Sequence, residues 1–222
     1  MPLGNVNAYL LKDPKDKQIV LIDTGAPGSA SKIKEAINSI GHQLSDLKAI
    51  LLTHCHGDHA GSVAVLKREA PQVKIYASKF EAPIVEEGLK QRAMTPSPGI
   101  MNKLLFKLFV TDHPIEAVPV DVKLNGGESI DVAGGINVIE IPGHSLGQLA
   151  FSLPQLGGIM FVADAASNMP RLGWSIGHED IITAKQSLKK LANLDFEIAC
   201  FGHGKPIMTG ASQKFRNKWD NK

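Results

Sequence analysis

The sequence predicts an α/β protein on three observations. Short β-rich runs recur along the whole chain, several are followed at once by segments with apolar residues at helical spacing, and 222 residues that are 43% hydrophobic and 21% charged can fill one complete core. That composition belongs to a globular chain rather than a disordered or membrane-spanning one. A single unit over residues 1–222 is therefore expected.

In order along the chain, residues 6–12 and 18–22 are β-rich and are separated by Asp13-Pro14-Lys15-Asp16, which predicts a hairpin. The second run stops at Asp23-Thr24-Gly25. Residues 29–40 then carry Ile33, Ala36, Ile37 and Ile40 at helical spacing, with Gly41 as terminator. Residues 49–53 form a short apolar run, as a strand buried on both faces would, and residues 60–70 predict a helix stopped by Pro71. Residues 73–77 predict another strand. Ser78 and Glu81 stand in capping-box register ahead of a helix kept short by Pro83 and Gly88.

Residues 91–114 break the alternation. Met94-Thr95-Pro96-Ser97-Pro98-Gly99 is a loop sequence, and Ile100, Met101, Leu104, Leu105, Leu108 and Phe109 share one helical face beyond it. We read a helical insertion over about 78–116. Its apolar face could pack on the core, cover a site as a hydrophobic lid, or form a dimer contact. Strands return near 120–124, 129–132, 136–141, 149–153 and 159–162 with Gly-rich turns between them, followed by a helix over 180–194, a strand over 197–201 and a helix over 211–219.

Lys and Arg number 24 against 22 Asp and Glu, too even a balance for a nucleic-acid partner. Lys214, Arg216, Lys218 and Lys222 are interrupted by Asp220 and read as a solvated last turn. A small-molecule substrate is expected instead, with no nucleic acid or membrane partner and with a homodimer left open. Two cysteines, Cys55 and Cys200, are too few for a secreted disulfide framework, and both read as buried inert thiols. Met1-Pro2-Leu3-Gly4 lacks signal-peptide character and no apolar run is long enough for a bilayer, so a cytoplasmic location is expected.

The chemistry concentrates in Leu52-Thr53-His54-Cys55-His56-Gly57-Asp58-His59. On an extended strand end side chains alternate, so His54 and His56 point one way and Cys55 the other. Gly57 permits a sharp turn that lets Asp58 and His59 face the same space from the start of a helix. Imidazole and carboxylate donors suit zinc, and also iron or manganese. So many donors from so short a segment cannot all serve one small ion, which implies two metals. A structural metal site would be closed by four ligands and rich in Cys, so these nitrogen and oxygen donors favour catalysis. Asp23-Thr24-Gly25 also matches the aspartic-protease triplet, but that chemistry needs a second carboxylate and the chain has no second triplet.

His54-x-His56-x-Asp58-His59 resembles the signature of the metallo-β-lactamase superfamily, and further motifs follow in the family's order. Asp23 follows an early strand, His144 lies in Pro142-Gly143-His144-Ser145-Leu146-Gly147, Asp164 ends Ile159-Met160-Phe161-Val162-Ala163, and His203 lies in Phe201-Gly202-His203-Gly204. The resemblance runs from Asn5 to His203. It implies a four-layer αββα sandwich, two mixed β-sheets flanked by helices, with metals at one edge between the sheets. It also implies that His54, His56 and His144 hold a first metal, that Asp58, His59 and His203 hold a second, and that Asp164 bridges them. Asp23 would orient ligands without binding metal. Two divalent ions, zinc first and iron or manganese as alternatives, would lower the pKa of a shared water towards about 7. The resulting hydroxide would attack the substrate, with Asp58 and Asp164 as the catalytic carboxylates and the metals stabilising the oxyanion. Relatives usually carry a strand earlier than the one at Val6, so a shortened first sheet or a truncated start is expected.

Asp164 and His59 resemble the lactonase, glyoxalase II and some lactamase branches rather than lactamases with a Cys ligand. The short tail after His203 leads us to expect no counterpart of the extra helical domain of glyoxalase II. The chain also lacks the tyrosine that acyl-homoserine lactonases carry shortly after the bridging aspartate, since its tyrosines are Tyr9 and Tyr76. The expected substrate is an activated ester, preferentially a lactone, with β-lactam or phosphotriester cleavage as side activities. The alternatives are a glyoxalase II-like thioesterase, using Lys205 and Arg171 for glutathione carboxylates, and an iron-loaded redox or binding module. Met169, Arg171 and Trp174 after the bridging aspartate, with Phe106 from the insertion, are candidate pocket residues. His178 ends the same segment and is balanced between pocket and packing, whereas His42 and His113 read as surface histidines.

Overall fold

A computed structural model describes residues 1–13, 17–111 and 113–220. The hairpin turn expected at Asp13-Pro14-Lys15-Asp16 lies, apart from Asp13, outside the described residues. The strands it joins are β1 (Tyr9–Lys12) and β2 (Ile19–Ile22), paired antiparallel with Tyr9 opposite Ile22.

The chain continues through α1 (Ala30–Ser39), β3 (Leu47–Leu51), α2 (Gly57–Ala60), α3 (Val63–Glu69), β4 (Lys74–Ser78) and α4 (Ala82–Glu87). The insertion holds β5 (Thr95–Pro96) and α5 (Ile100–Phe109) before β6 (Val122–Leu124) completes the first sheet. Then come β7 (Ser129–Ile130), β8 (Ile136–Glu140), β9 (Leu149–Leu153), β10 (Ile159–Ala163), β11 (Ala166–Asn168), β12 (Leu172–Trp174), β13 (Gly177–His178), α6 (Ile181–Ala192), β14 (Ile198–Phe201) and α7 (Ala211–Trp219). The first sheet runs β1-β2-β3-β4-β6, parallel except for the β1 edge; the second runs β14-β10-β9-β8-β7, antiparallel except for β10 with β14.

The period of two along each strand builds the layers. In β2, Ile19 and Leu21 join α1 and α3 in an outer core with Ile33, Ile37, Val63 and Leu66, while Val20 and Ile22 face the other sheet. β9 and β10 repeat the pattern: Phe151 and Phe161 point inward, Ala150 and Met160 outward against Leu188, Leu191, Phe215 and Trp219 of α6 and α7. Three cores therefore separate four layers, α, β, β and α. Phe151, fully buried between the sheets, contributes about 2–3 kcal/mol of hydrophobic stabilisation by itself. Asp180 caps α6, its Oδ1 accepting the Ile182 and Thr183 amides at 2.8 and 3.2 Å.

Three local expectations need correction. The helix expected over 60–70 begins at Gly57 and breaks into α2 and α3 at Gly61-Ser62, so Asp58 and His59 stand inside a helical turn of their own. Ser78 and Glu81 do not form a capping box, because Ser78 still belongs to β4, α4 starts only at Ala82 with Glu81 itself at the N-cap, and the Glu81 carboxylate is occupied by distant amides described below. The loop expected over 94–99 contains β5, which pairs with β13, Thr95 opposite His178, and ties the insertion to the segment after Asp164. No helix among the described residues is long and apolar enough to cross a membrane.

Candidate active site

Five chain segments meet at one edge between the sheets, each leaving the end of a strand: residues 52–59 after β3, Asp23 after β2, His144 after β8, Asp164 after β10 and His203 after β14. Their ligand atoms group in three overlapping sets, each within 4.8 Å: His54, His56 and His144; His54, His59 and Asp164; and Asp58, His59 and His203. All seven predicted ligands are brought together. Cys55 turns the other way into the outer core, as alternation requires, and burial raises its thiol pKa; burial also raises that of Cys200, to about 12.

Hydrogen bonds to the far side of four rings, those of His54, His59, His144 and His203, set their tautomers. His54 Nδ1 lies 2.9 Å from Thr53 Oγ1, which itself donates to Asp23 Oδ2 at 2.8 Å. His59 Nδ1 lies 2.8 Å from the same Asp23 oxygen. His144 Nδ1 donates to the Gly177 carbonyl at 2.8 Å and His203 Nδ1 to the Asn5 carbonyl at 2.6 Å. Each places its proton on Nδ1 and leaves Nε2 for a ligand. Asp23 thus bonds both Thr53 and His59, and does so with φ 59, a conformation held by its acceptance of the Thr53 amide at 2.8 Å.

The cluster fits metal. His54 Nε2, His59 Nε2 and Asp164 Oδ1 are buried and have no hydrogen-bond partner among the described residues, a cost borne only where something else satisfies them. His56 Nδ1 and His144 Nε2 stand 3.0 Å apart, and His203 Nε2 is 3.2 Å from Asp164 Oδ2. Tetrahedral zinc with nitrogen at about 2.0–2.1 Å would separate its ligand atoms by roughly 3.4 Å.

Electrostatics divide the histidines of the cluster into a neutral and a charged group. Burial, reinforced by neighbouring histidines, pushes the His54 and His56 pKa values well down, and burial lowers that of His144, so these three stay neutral. Burial would lower His59 too, but the Asp58, Asp164 and Asp23 carboxylates outweigh it and raise its pKa to about 9. His203 is likewise raised by Asp164 and Asp58 against its burial. In return the Asp58 and Asp164 carboxyls, which burial would raise, are held below the usual carboxylate range by His59 and His203.

Backbone shape makes room for the cluster at two glycines. A Cβ at Gly57 would lie 2.1 Å from the His113 carbonyl, and one at Gly202 would lie 1.9 Å from Asp164 Oδ1. Ala163, just before Asp164, adopts φ 48 and turns the carboxylate back from the strand end.

Beside the cluster lies a cavity of about 470 Å³, walled by the insertion (Met94, Leu105, Phe109), the N-terminal segment and the β11–β13 region. Of the expected pocket residues, Met169 and Trp174 line it. Arg171 does not: it is exposed at the tip of the β11–β12 turn. Neither does Phe106, which lies about 100° round α5 from Leu105 and packs its ring on Gly177 instead.

Sequence reading missed the residues that hold these loops. Glu81, buried, accepts the amides of Cys55 at 3.2 Å and Gly147 at 2.6 Å and pairs with Arg92 at 2.8 Å, joining the two loops that carry His56 and His144. Arg92 also pairs with Glu179, which accepts the Leu146 amide at 2.8 Å. Asn7 Nδ2 donates to the carbonyls of Phe201 and Gly204, fixing the His203 loop on the N-terminal segment. His178 is fully buried, its ring edge-on to His144 and Trp174 at 5.7 and 5.5 Å, and burial lowers its pKa to about 3. It is a neutral wedge behind His144. His113 is exposed, yet it lines the cavity.

The family model described as metallo-beta-lactamase superfamily matches residues 1–203. YobT of Bacillus subtilis is 31% identical over 160 residues, 72% of this chain and 61% of its own length. YqjP of the same organism, a probable metallo-hydrolase, is 28% identical over 228 residues, 92% of this chain and 69% of its own. A hydroxyacylglutathione hydrolase of Yersinia enterocolitica is 29% identical over 159 residues, 70% of this chain but 47% of that enzyme. The chain thus spans less than two thirds of YobT and about half of the hydroxyacylglutathione hydrolase. The solved structure of BJP-1, a subclass B3 metallo-beta-lactamase of Bradyrhizobium japonicum, shares the fold with a TM-score of 0.70 at 20% identity, over 97% of this chain and 85% of that one. With the histidine and aspartate motif set at the edge of this sandwich and the family model matched over residues 1–203, the chain belongs to the metallo-β-lactamase superfamily.

Proposed function

We propose that this protein is a metal-dependent hydrolase with two divalent ions, zinc by preference, that cleaves an activated ester, lactones first, in the cavity beside α5. The observation that carries this reading is the convergence of two ligand sets on one carboxylate. Asp164 lies 3.5 Å from His59, 3.6 Å from His144 and 3.2 Å from His203, between the neutral and the charged halves of the cluster. Two divalent ions held by these residues would supply an acidified water and polarise a substrate oxygen.

The chain's own residues do the rest. Asp58, held ionised and facing the cavity, accepts a hydrogen bond from the attacking water and aims it. Asp164 keeps the two halves in register. Asp23, Thr53, Gly177 and Asn5 hold the imidazoles in the tautomer that leaves Nε2 available. The insertion over about 78–116, pinned by β5 to β13, is read as a lid whose Met94, Leu105 and Phe109 exclude bulk water from the reaction.

A second reading, a thioesterase, draws support from the hydroxyacylglutathione hydrolases among the relatives. It loses support at the wall, since Arg171 and Lys205, its candidate carboxylate partners, are exposed and neither lines the cavity.

The test is a hydrolysis panel of lactones, thioesters, β-lactams and phosphotriesters on wild type and Asp164→Ala, with metal content measured in both. Lactone turnover with two zinc ions per chain is expected, falling by roughly 10³-fold in the variant with loss of metal. Full activity and full metal content in Asp164→Ala would end the proposal.

A further inference from the structure

We infer that the cavity selects substrates whose acyl portion is uncharged, and discriminates against acyl groups that carry a carboxylate. The inference rests on the hydrolase reading and concerns the part of the substrate away from the scissile bond. Apart from the predicted ligands, the described wall of the cavity contains no lysine, arginine, aspartate or glutamate. It is mostly apolar, with Leu3, Val6, Leu105, Phe109, Trp174 and Ile176 among its members, and its remaining polar groups are amides and hydroxyls such as those of Asn5, Gln91 and Ser175. Among the described residues the one further ionisable side chain of the wall is His113, whose Nε2 is engaged at 2.9 Å by Thr111 Oγ1.

A carboxylate next to the metals would be attracted, but one at the far end of an acyl chain would give up its hydration and meet no cation. An alkyl chain of the same length gains by leaving water on the same wall. The volume, about 470 Å³, lies within the range of about 300–1,000 Å³ usual for small-molecule sites. The two classes of ester should therefore be separated by charge rather than by size.

The zinc-loaded protein is tested with two p-nitrophenyl esters of equal carbon number, the octanoate and the mono-ester of suberic acid. We expect kcat/KM for the octanoate to exceed that for the suberate at least tenfold. Leu105→Lys, which brings a cation to the wall, should narrow that ratio at least tenfold by raising the suberate rate. Equal rates on the two esters in wild type, or a preference for the anionic one, overturn the inference and leave the hydrolase reading standing. Cleavage of neither ester, nor of any lactone, overturns both. Should the lysine variant not fold, the wild-type ratio alone decides.

Discussion

Gly202→Ala adds one methyl group to a residue outside the predicted ligand set, and it should disable the site. The new Cβ would stand 1.9 Å from Asp164 Oδ1 and 2.7 Å from His59 Cε1. Non-bonded carbon and oxygen settle no closer than roughly 3.3 Å, so the carboxylate or the backbone must give by more than about 1 Å. Asp164 has little freedom to do so: it is buried, its backbone follows a residue at φ 48, and the Gly202 amide is bonded to the Ala163 carbonyl at 3.0 Å. Metal ligands tolerate displacements of about 0.2 Å. A shift of about 1 Å at a reacting centre costs on the order of 100-fold, while the overpacking costs about 1–3 kcal/mol of stability. We therefore expect a folded protein with ester hydrolysis reduced at least about 100-fold and with metal lost from the site. The assays are steady-state kinetics and elemental analysis, with circular dichroism as a check on the fold. A variant that keeps full metal content and activity within about threefold would show that the Asp164 position does not matter as argued.

Two further predictions concern the supports and protons of the site. Glu81→Ala leaves Arg92 without one partner and strands the buried amides of Cys55 and Gly147. Breaking a buried pair costs about 3–5 kcal/mol, and the partial exposure of Arg92 puts this case near about 3 kcal/mol. Urea unfolding at unchanged m-value measures it, and a loss below about 1 kcal/mol would contradict the role assigned to the network. The second prediction follows from His59, whose pKa in the metal-free protein is raised to about 9 by Asp58, Asp164 and Asp23 against the effect of burial. A raised folded-state value means a stabilising contribution that is complete below the unfolded value of about 6.5 and is lost as pH rises towards about 9. The metal-free protein should lose stability across that window. Zinc uptake at neutral pH should expel protons and tighten with pH up to the same limit. Calorimetric zinc titrations in buffers of different ionisation heat read the protons directly, and uptake with no proton release would refute the charge state given to His59 and His203.

The core of the candidate site was legible in the sequence because three histidines and an aspartate crowded into residues 54–59 have no cheap packing explanation, while His144, Asp164 and His203 were picked out only through the family resemblance. The strands were legible because short apolar runs such as Ile19-Val20-Leu21-Ile22, buried on both faces, are a local signal, whereas the four layers were expected from the family resemblance alone. The supports were not legible, since their partners are remote. Asn7 meets Gly204 across 197 residues and His203 meets Asn5 across 198, and no periodicity spans such distances. Phe106 and Leu105 are adjacent, equally apolar residues, and the geometry of α5 over Gly177 decides which of them faces the cavity.

Glu81 shows how such a conflict is settled. Three residues after Ser78 it has the spacing of a capping box, a local arrangement worth about 1 kcal/mol. The folded chain offers the same carboxylate two buried amides and a guanidinium, and leaving those unpaired would cost about 1–3 kcal/mol for each group. The larger sum prevails: the carboxylate joins the histidine loops, and α4 starts only at Ala82, with Glu81 at an N-cap position that makes no side-chain capping bond. The same arithmetic explains why Asp23 tolerates φ 59: a backbone strain of about 1–3 kcal/mol is outweighed where one side chain holds Thr53 and His59 together.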